Sequence, residues 1–334
     1  MTEKILTGNY FCERCVIGCG RRVKVDKGPF APVEGAGPEY ESVAMLGSLC
    51  LVDDIEAIAK ANEICNRYGM DTISAGAAIA FAMEAYEKGI LTKKDTGELE
   101  LLWGRGDVMV KMIEKIGKRE GLGQLLGEGV RIAAEKLGKN AVEFSIQVKG
   151  QEMPAHDPRC FNAGAVGYAT INRGACHLGF SHVFERILSM PEIGVDQPLP
   201  RLEVKGKGEL AAKTQNIMGL FDSLKICKFS MFGGLKMTPI LAWYNMVTGN
   251  SATMDEFLKT GERIFNLKRM YNVHCGISRK DDTLPARFLT LKHEGEGLNP
   301  NLPPLGELLS DYYKYRGWNE EGIPTPEKLK ELGL

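Results

Sequence analysis

Residues 53–89 read DDIEAIAKANEICNRYGMDTISAGAAIAFAMEAYEKG and predict two consecutive helices. The first begins at residues 53–56, where an N-cap aspartate is followed by a glutamate at the third helical position. Apolar residues then recur at helical spacing until Gly69, which can close the helix in a left-handed conformation. A second, alanine-rich helix is expected from about residue 72 to residue 88. This segment therefore predicts a helical fold.

The rest of the chain extends the same pattern. Helices are expected after Asp107, over about residues 122–137, through Phe221, and from a capping box at Thr253. One short strand is expected at residues 142–148, where apolar and polar residues alternate. We therefore predict an all-α, multihelical protein with two helical domains, residues 1–148 and residues 149–334.

Composition excludes several classes of protein. The chain has 334 residues, 44% hydrophobic and 25% charged, with a formal net charge of -1. That length suits two domains around two cores. The absence of a basic excess argues against nucleic acid and anionic membranes as partners. No apolar stretch is long enough to span a bilayer and no signal peptide is visible, so a cytoplasmic location is expected.

Three of the nine cysteines form the sharpest local motif, Cys12-x2-Cys15-x3-Cys19. Closely spaced thiols on a loop can supply three ligands of an iron–sulfur cluster. A structural zinc site or free thiols are the alternatives, although a zinc site usually shows a second C-x2-C pair. A fourth ligand must come from a distant cysteine, and spacing alone does not choose among the candidates Cys50, Cys65, Cys160, Cys176, Cys227 and Cys275.

Several polar residues stand at places where either structure or chemistry could explain them. Asp71 and Asp222 can be simple helix-end residues. Glu39 and Glu41 can be acids that complement the dipole of a helix N-terminus. The histidine candidates for a functional role are His156, on a proline-constrained loop, and His177, among small residues; His182, His274 and His293 have no neighbours that distinguish them.

Taken together, these short motifs resemble the aldehyde ferredoxin oxidoreductase family of tungsten enzymes, and the resemblance covers nearly the whole chain. The ordered set is far more specific than the cysteine motif alone. It comprises residues 12–19, 37–41, 66–76, 149–154, 173–177 and 222–227.

The resemblance implies two kinds of cofactor. A [4Fe-4S] cluster would be held by Cys12, Cys15, Cys19 and Cys227, the last of which ends the family's D-x-x-G-L-C motif. Two pterins that chelate tungsten (or molybdenum) would be bound by that motif and by a sister motif, D-x-x-G-L-D. The matching residues here are Asp222, Asp71 and Asn66. Lys225 and Ile226 replace the family's Gly and Leu, as Asn66 and Met70 replace its Asp and Leu, so the local turns are open to change.

The resemblance also implies an activity. Glu41 or Glu39 would act as a base, and His177 would donate to a carbonyl oxygen, with His156 as a weaker candidate. Such an enzyme oxidises an aldehyde to a carboxylic acid and passes electrons through the cluster to ferredoxin. The family's N-terminal β-rich domain has no counterpart in this sequence. We therefore expect a partner region or subunit that supplies it, without which the chain is inactive.

Two points remain open at this stage. The alternative to an enzyme is a cluster-bearing electron-transfer or assembly subunit without catalysis of its own. Whether the chain forms a homo-oligomer also stays open.

Overall fold

The structure, a computed structural model, describes residues 1–180, 182–295 and 300–334. The chain divides into two compact units, Met1–Ala155 and His156–Leu334. Helices, with the 3-10 turns included, account for 53% of the described residues and strands for 7%. The mainly helical character predicted from the sequence is therefore confirmed. Within the described ranges, no helix is both long and apolar enough to cross a membrane.

The first unit combines a small sheet with seven α-helices. Its strands and helices are β1 (Leu6–Tyr10), β2 (Gly20–Val25), β3 (Val33–Ala36), α1 (Tyr40–Leu46), α2 (Ile55–Tyr68), α3 (Thr72–Glu87), α4 (Lys93–Thr96), α5 (Gly106–Lys118), α6 (Leu122–Leu126), α7 (Val130–Leu137), β4 (Gln147–Val148) and β5 (Gln151–Glu152).

Strands β1, β2 and β3 form an antiparallel sheet in that order, which the prediction of little strand outside residues 142–148 missed. Tyr10 pairs with Gly20 and Val25 pairs with Val33, so consecutive strands are neighbours. Val23, Val25 and Val33 are buried on one face, as the period of two requires, whereas alternate residues are exposed. The strands are short and rich in glycine and charge, which hides their periodicity in the sequence.

The core of the first unit lies among α2, α3 and α5. Asp54 caps α2 by accepting from the amides of Glu56 and Ala57, so Glu56 is the second helical residue rather than the predicted third. Gly69 ends the helix in a left-handed conformation, which confirms that prediction. The small residues of α3 allow close packing: a Cβ at Gly76 would lie only 2.5 Å from the carbonyl oxygen of Met45 in α1.

Two predictions about the end of this unit are wrong. The single helix expected over residues 122–137 is two helices, because Gly129, with φ +91°, interrupts the helical backbone before α7. The strand expected over residues 142–148 is confined to Gln147–Val148. Its first half is a 3-10 turn, Ala141–Phe144, which begins after the left-handed Asn140.

The second unit is built from helices and 3-10 turns. Its helices are α8 (Asn162–Thr170), α9 (Lys207–Leu224), α10 (Met237–Thr248), α11 (Met254–His274), α12 (Ala286–Thr290), α13 (Leu305–Arg316) and α14 (Pro326–Leu332).

Helix α9 is the centre of this unit and packs against α8, α11 and α13. The predicted capping box at Thr253 and Glu256 begins α11. A Cβ at Gly261 would lie 2.4 Å from the carbonyl oxygen of Asn216, so glycine lets α11 approach α9 closely. At the start of α9, Lys207 forms an ion pair with Glu185 in which both side chains are fully buried.

Candidate functional site

The cysteine motif lies on the loop that joins β1 to β2. A turn closed by the Cys15 amide and the Cys12 carbonyl, 3.0 Å apart, begins the loop. Gly18 has φ +60°, and a Cβ there would lie 2.5 Å from the ring of Phe11, so the tight loop requires glycine. Cys12 is exposed and Cys15 and Cys19 are half-buried, and none forms a disulfide. Three thiols on one short loop fit the donor set of an iron–sulfur cluster.

Cys227 lies in the second unit, three residues after the end of α9. It is exposed and precedes the 3-10 turn Lys228–Met231. The loop cysteines and Cys227 belong to different units, and their grouping around one cluster stays a prediction.

The two sister motifs form turns of the same geometry. In the first, the Met70 amide donates to the Cys65 carbonyl at 2.8 Å and Gly69 has φ +69°. In the second, the Ile226 amide donates to the Phe221 carbonyl at 2.9 Å and Lys225 has φ +59°. Lysine therefore adopts the left-handed conformation that glycine takes in the first turn, and the substitution does not alter the turn.

Asp71 stands at the mouth of a cleft in the first unit. Its carboxylate caps α3 by accepting from the Ser74 amide at 2.8 Å. The cleft has a volume of about 460 Å³ and is lined by Asp71, Ser74 and Glu152, among others. The Ser74 hydroxyl donates a 2.8 Å hydrogen bond to the Glu152 carboxylate, so Ser74 connects Asp71 and Glu152 along this lining. Asn66 is exposed on the last turn of α2 and does not belong to the cleft lining.

Asp222 lines a smaller cavity in the second unit, of about 60 Å³. Arg173, Asn172, Gln215 and Lys268 are among its other lining residues. Each sister motif thus places one carboxylate beside a recess of its own unit. Carboxylates there can accept hydrogen bonds from the ring and amino N–H groups of a pterin. The chemistry of these two carboxylates therefore fits such a ligand, whereas the cavity at Asp222, at about 60 Å³, is smaller than a pterin ring system.

The two candidate glutamates have different environments. Glu39 precedes α1, is exposed, and accepts a 2.6 Å hydrogen bond from the Arg21 guanidinium. Glu41, in the first turn of α1, is half-buried, and its Oε2 accepts a 2.8 Å hydrogen bond from the Ala155 amide. The carboxylate of Glu41 is therefore held by the backbone, whereas that of Glu39 is engaged by a surface arginine.

Three histidines form a cluster in the second unit. The ring centroid of His156 lies 5.2 Å from that of His177 and 4.3 Å from that of His182. His182 is buried, and burial together with the nearby His156, Lys228, His177 and Arg186 lowers its pKa to about 2. Within the parts of the chain described here, its Nδ1 has no hydrogen-bond partner. The sequence around His182 shows no motif or periodicity, so its position beside His156 could not be predicted from the sequence.

Lys228 is a second residue of this region that sequence reasoning missed. Its Nζ donates to the carbonyl oxygens of His177 and Phe180, at 2.7 and 2.8 Å. Burial lowers the pKa of this lysine to about 8. Only its position directly after Cys227 could have drawn attention to it.

Comparison with known proteins identifies the family. Residues 1–334 match the family described as aldehyde ferredoxin oxidoreductase, domains 2 & 3. The chain is 40% identical to the tungsten-containing aldehyde ferredoxin oxidoreductases of Pyrococcus horikoshii and Thermococcus kodakarensis, with all of the chain and 54% of each relative covered. It is 29% identical to the aliphatic sulfonate oxidoreductase, WOR-like subunit, of Pyrococcus furiosus, with 96% of the chain and 49% of that protein covered.

A solved structure has the same fold. The active-site complex BamBC of benzoyl coenzyme A reductase, in complex with 1,5-dienoyl-CoA, superposes with a TM-score of 0.80 at 22% identity. The match covers 99% of this chain and 53% of that one.

The sequence matches place the chain in a family of oxidoreductases. It belongs to the aldehyde ferredoxin oxidoreductase family and corresponds to domains 2 and 3 of that family. The chain spans about half the length of the curated relatives that it matches.

Proposed function

We propose that this chain is the C-terminal part of an enzyme that oxidises aldehydes to carboxylic acids at a tungsten bis-pterin cofactor. The observation that carries the proposal is the pair of matching turns, one followed by Asp71 and the other preceded by Asp222, in which each carboxylate lines a recess of its own unit. A bis-pterin ligand needs two such places, and the chain provides one in each unit. The names of the relatives that are 40% identical supply the metal and the substrate class.

The bound tungsten centre would supply the two-electron oxidation, in which water provides the second oxygen of the acid. Each aldehyde together with one water would release two electrons and two protons as the acid forms. Cys12, Cys15, Cys19 and Cys227 would hold a [4Fe-4S] cluster, which would supply one-electron transfer to ferredoxin. Cysteine thiolates are the ligands that such clusters require, and the loop offers three of them.

Protein side chains would handle the protons and orient the reactants. Glu41 is the better candidate for a base, because its half-buried carboxylate is oriented by the Ala155 amide. His177 would donate a hydrogen bond to the carbonyl oxygen as negative charge develops there. The ring of His156 lies 5.2 Å from that of His177, centroid to centroid, which makes it the weaker candidate for the same role. Asp71 and Asp222 would accept from pterin N–H groups and fix the cofactor.

Metal analysis of two preparations tests the proposal. The chain would be produced anaerobically with tungsten, once alone and once together with the other half of the family protein. We expect stoichiometric tungsten and about four irons per chain in the joint preparation. The chain alone should lack tungsten, because Asp71 and Asp222 reach one edge of each pterin and leave the opposite face uncovered.

Two results would contradict the proposal. Iron without tungsten in the joint preparation supports the alternative, a cluster-bearing electron-transfer or assembly subunit. Stoichiometric tungsten in the chain alone would show that these two units hold the cofactor unaided, and the need for the other half would be withdrawn.

A further inference from the structure

One lysine connects two residues to which the proposed function gives different tasks. Lys228 follows the candidate cluster ligand Cys227 directly in sequence. Its Nζ donates to the carbonyl oxygen of His177 at 2.7 Å and to that of Phe180 at 2.8 Å. Both acceptors belong to the short segment that carries the candidate catalytic histidine. A single side chain thus ties the start of the turn at Cys227 to the backbone of His177.

This arrangement is unusual for a lysine, whose ammonium group normally stays in water while its stem packs. Here the side chain is half-buried and its donors point to backbone oxygens. In the described part of the chain, no carboxylate forms an ion pair with it. Lys225, three residues earlier on the same turn, is exposed and serves as the natural comparison.

We propose that Lys228 is a positioning residue that fixes the His177 segment to the Cys227 segment and places a positive charge beside the cluster. The proposal rests on the proposed function, which assigns Cys227 to the cluster and His177 to the substrate. Two carbonyl acceptors on one ammonium restrain the His177 backbone in position and in orientation. Because no carboxylate among the described residues forms an ion pair with it, the charge would stabilise the more reduced, more negative state of the cluster.

Hydrogen exchange tests the mechanical half of the proposal and needs no cofactor. Amide exchange of residues 174–180 would be measured by mass spectrometry in the 334-residue chain and in two variants. Lys228→Met removes the donors and keeps an unbranched side chain of similar length. We expect exchange in this segment to accelerate roughly tenfold, because two charge-assisted hydrogen bonds are lost. The matched control Lys225→Met should leave exchange unchanged. Equal protection in all three proteins would overturn the restraint.

The reduction potential of the cluster tests the electrostatic half. Redox titration followed by electron paramagnetic resonance would compare wild type, Lys228→Met, Lys228→Gln and Lys225→Met, all prepared anaerobically. Lys228→Gln keeps one N–H donor group without the charge, so it also carries the test if Lys228→Met does not fold. We expect a more negative potential in both Lys228 variants and no change in Lys225→Met. A potential equal to wild type in the Lys228 variants would overturn the electrostatic role.

The hydrogen-exchange and redox experiments distinguish a wrong role for Lys228 from a wrong proposed function. If wild-type protein binds no cluster, the assignment of Cys227 fails, and the exchange experiment alone decides whether Lys228 ties the two segments. If wild-type protein binds the cluster and neither readout responds to Lys228, the proposed function stands and the role of Lys228 is rejected.

Discussion

Two glutamates that are equivalent by sequence pattern differ in the structure. Glu39 is exposed and engaged by Arg21, whereas one oxygen of the half-buried Glu41 is fixed by the Ala155 amide. A base is effective only if its oxygen is held where the proton leaves. The family motif did not distinguish the two, because both fit a GPEYE segment, and the distinction comes from their hydrogen bonds.

This difference predicts an asymmetric pair of variants. In the complete enzyme, Glu41→Gln should lower turnover by roughly 10²–10⁴-fold, the usual loss for one positioned acid or base. Tungsten and iron contents should stay near wild type in Glu41→Gln and in the control Glu39→Gln. The control Glu39→Gln loses only an exposed ion pair and should retain most activity. Near-wild-type turnover in Glu41→Gln, or equal losses in both variants, would remove Glu41 from the mechanism.

The position of His182 could not be predicted from the sequence. Its neighbours in sequence give no helical or metal-binding pattern, yet its ring lies 4.3 Å from that of His156. The contact depends on an irregular loop, and loop conformation follows from tertiary packing rather than from local periodicity. The cysteines, Asp71 and Asp222 were recognisable because each stands at a motif with fixed spacing.

The pKa of His182 predicts a pH-dependent stability. Its folded pKa of about 2 lies below the ordinary value of 6.5, so the unfolded chain binds the proton more readily. The stabilisation is present above pH 6.5 and is lost as the pH falls toward 2. From pH 7.5 to 5.5, the free energy of unfolding should drop by about 1.4 kcal/mol from this residue alone.

Urea unfolding at the two pH values measures this loss. His182→Phe keeps a ring in the cluster and should remove about 1.4 kcal/mol of the pH dependence. His274 is exposed at the end of α11, so His274→Phe should keep the wild-type slope. If His182→Phe retains that slope as well, His182 is not buried in its neutral form.

At the scale of elements, regular helices were predictable and irregular segments were not. The ends of α2 and α3 follow from caps and glycines that act within a few residues. The break before α7 depends on Gly129, whose left-handed backbone outweighs the apolar pattern on either side. The sheet β1–β3 was missed because its short strands gain stability from pairing rather than from local preference.

The start of α3 gives a prediction about cap and ligand together. Asn and Asp are equally good N-caps, so Asp71→Asn should change the free energy of unfolding by less than about 0.5 kcal/mol. The loss of charge beside the cleft should nevertheless lower the pterin content of the joint preparation. Asp54→Asn is the matched control, because Asp54 caps α2 and does not line that cleft. Unchanged pterin content in Asp71→Asn would make Asp71 a structural cap only.

On the scale of the whole molecule, each unit has its own core, and the second adds a buried charge pair. Glu185 accepts from the amides of Ala163 and Gly164 at the start of α8 and from Lys207 at 2.7 Å. Burial raises the pKa of Glu185, against the opposing effect of Lys207. This pair joins the loop at residue 185 to the beginnings of α8 and α9, the helices that position the second unit's candidate residues.

Removal of one member of this pair should be costly. Lys207→Met leaves the Glu185 carboxylate buried and unpaired, and the free energy of unfolding should fall by about 3–5 kcal/mol. Lys213, which pairs with Glu209 on the surface of the same helix, provides the control. Lys213→Met should cost no more than about 0.5 kcal/mol. Urea titrations followed by circular dichroism measure the two free energies of unfolding. Equal losses in the two variants would show that burial of the ion pair does not increase the cost of removing its lysine.

The hairpin that carries the cysteine loop has a consequence for how a metal centre assembles. Tyr10 and Gly20 are paired across β1 and β2, so the sheet itself joins the ends of the loop. Closing a chain segment costs conformational entropy, and the pairing of the strands, rather than the binding of iron, offsets that cost. Insertion of iron then has to order only the residues between the two strands. The protein should therefore accept its inorganic components after folding, as a prepared receptor.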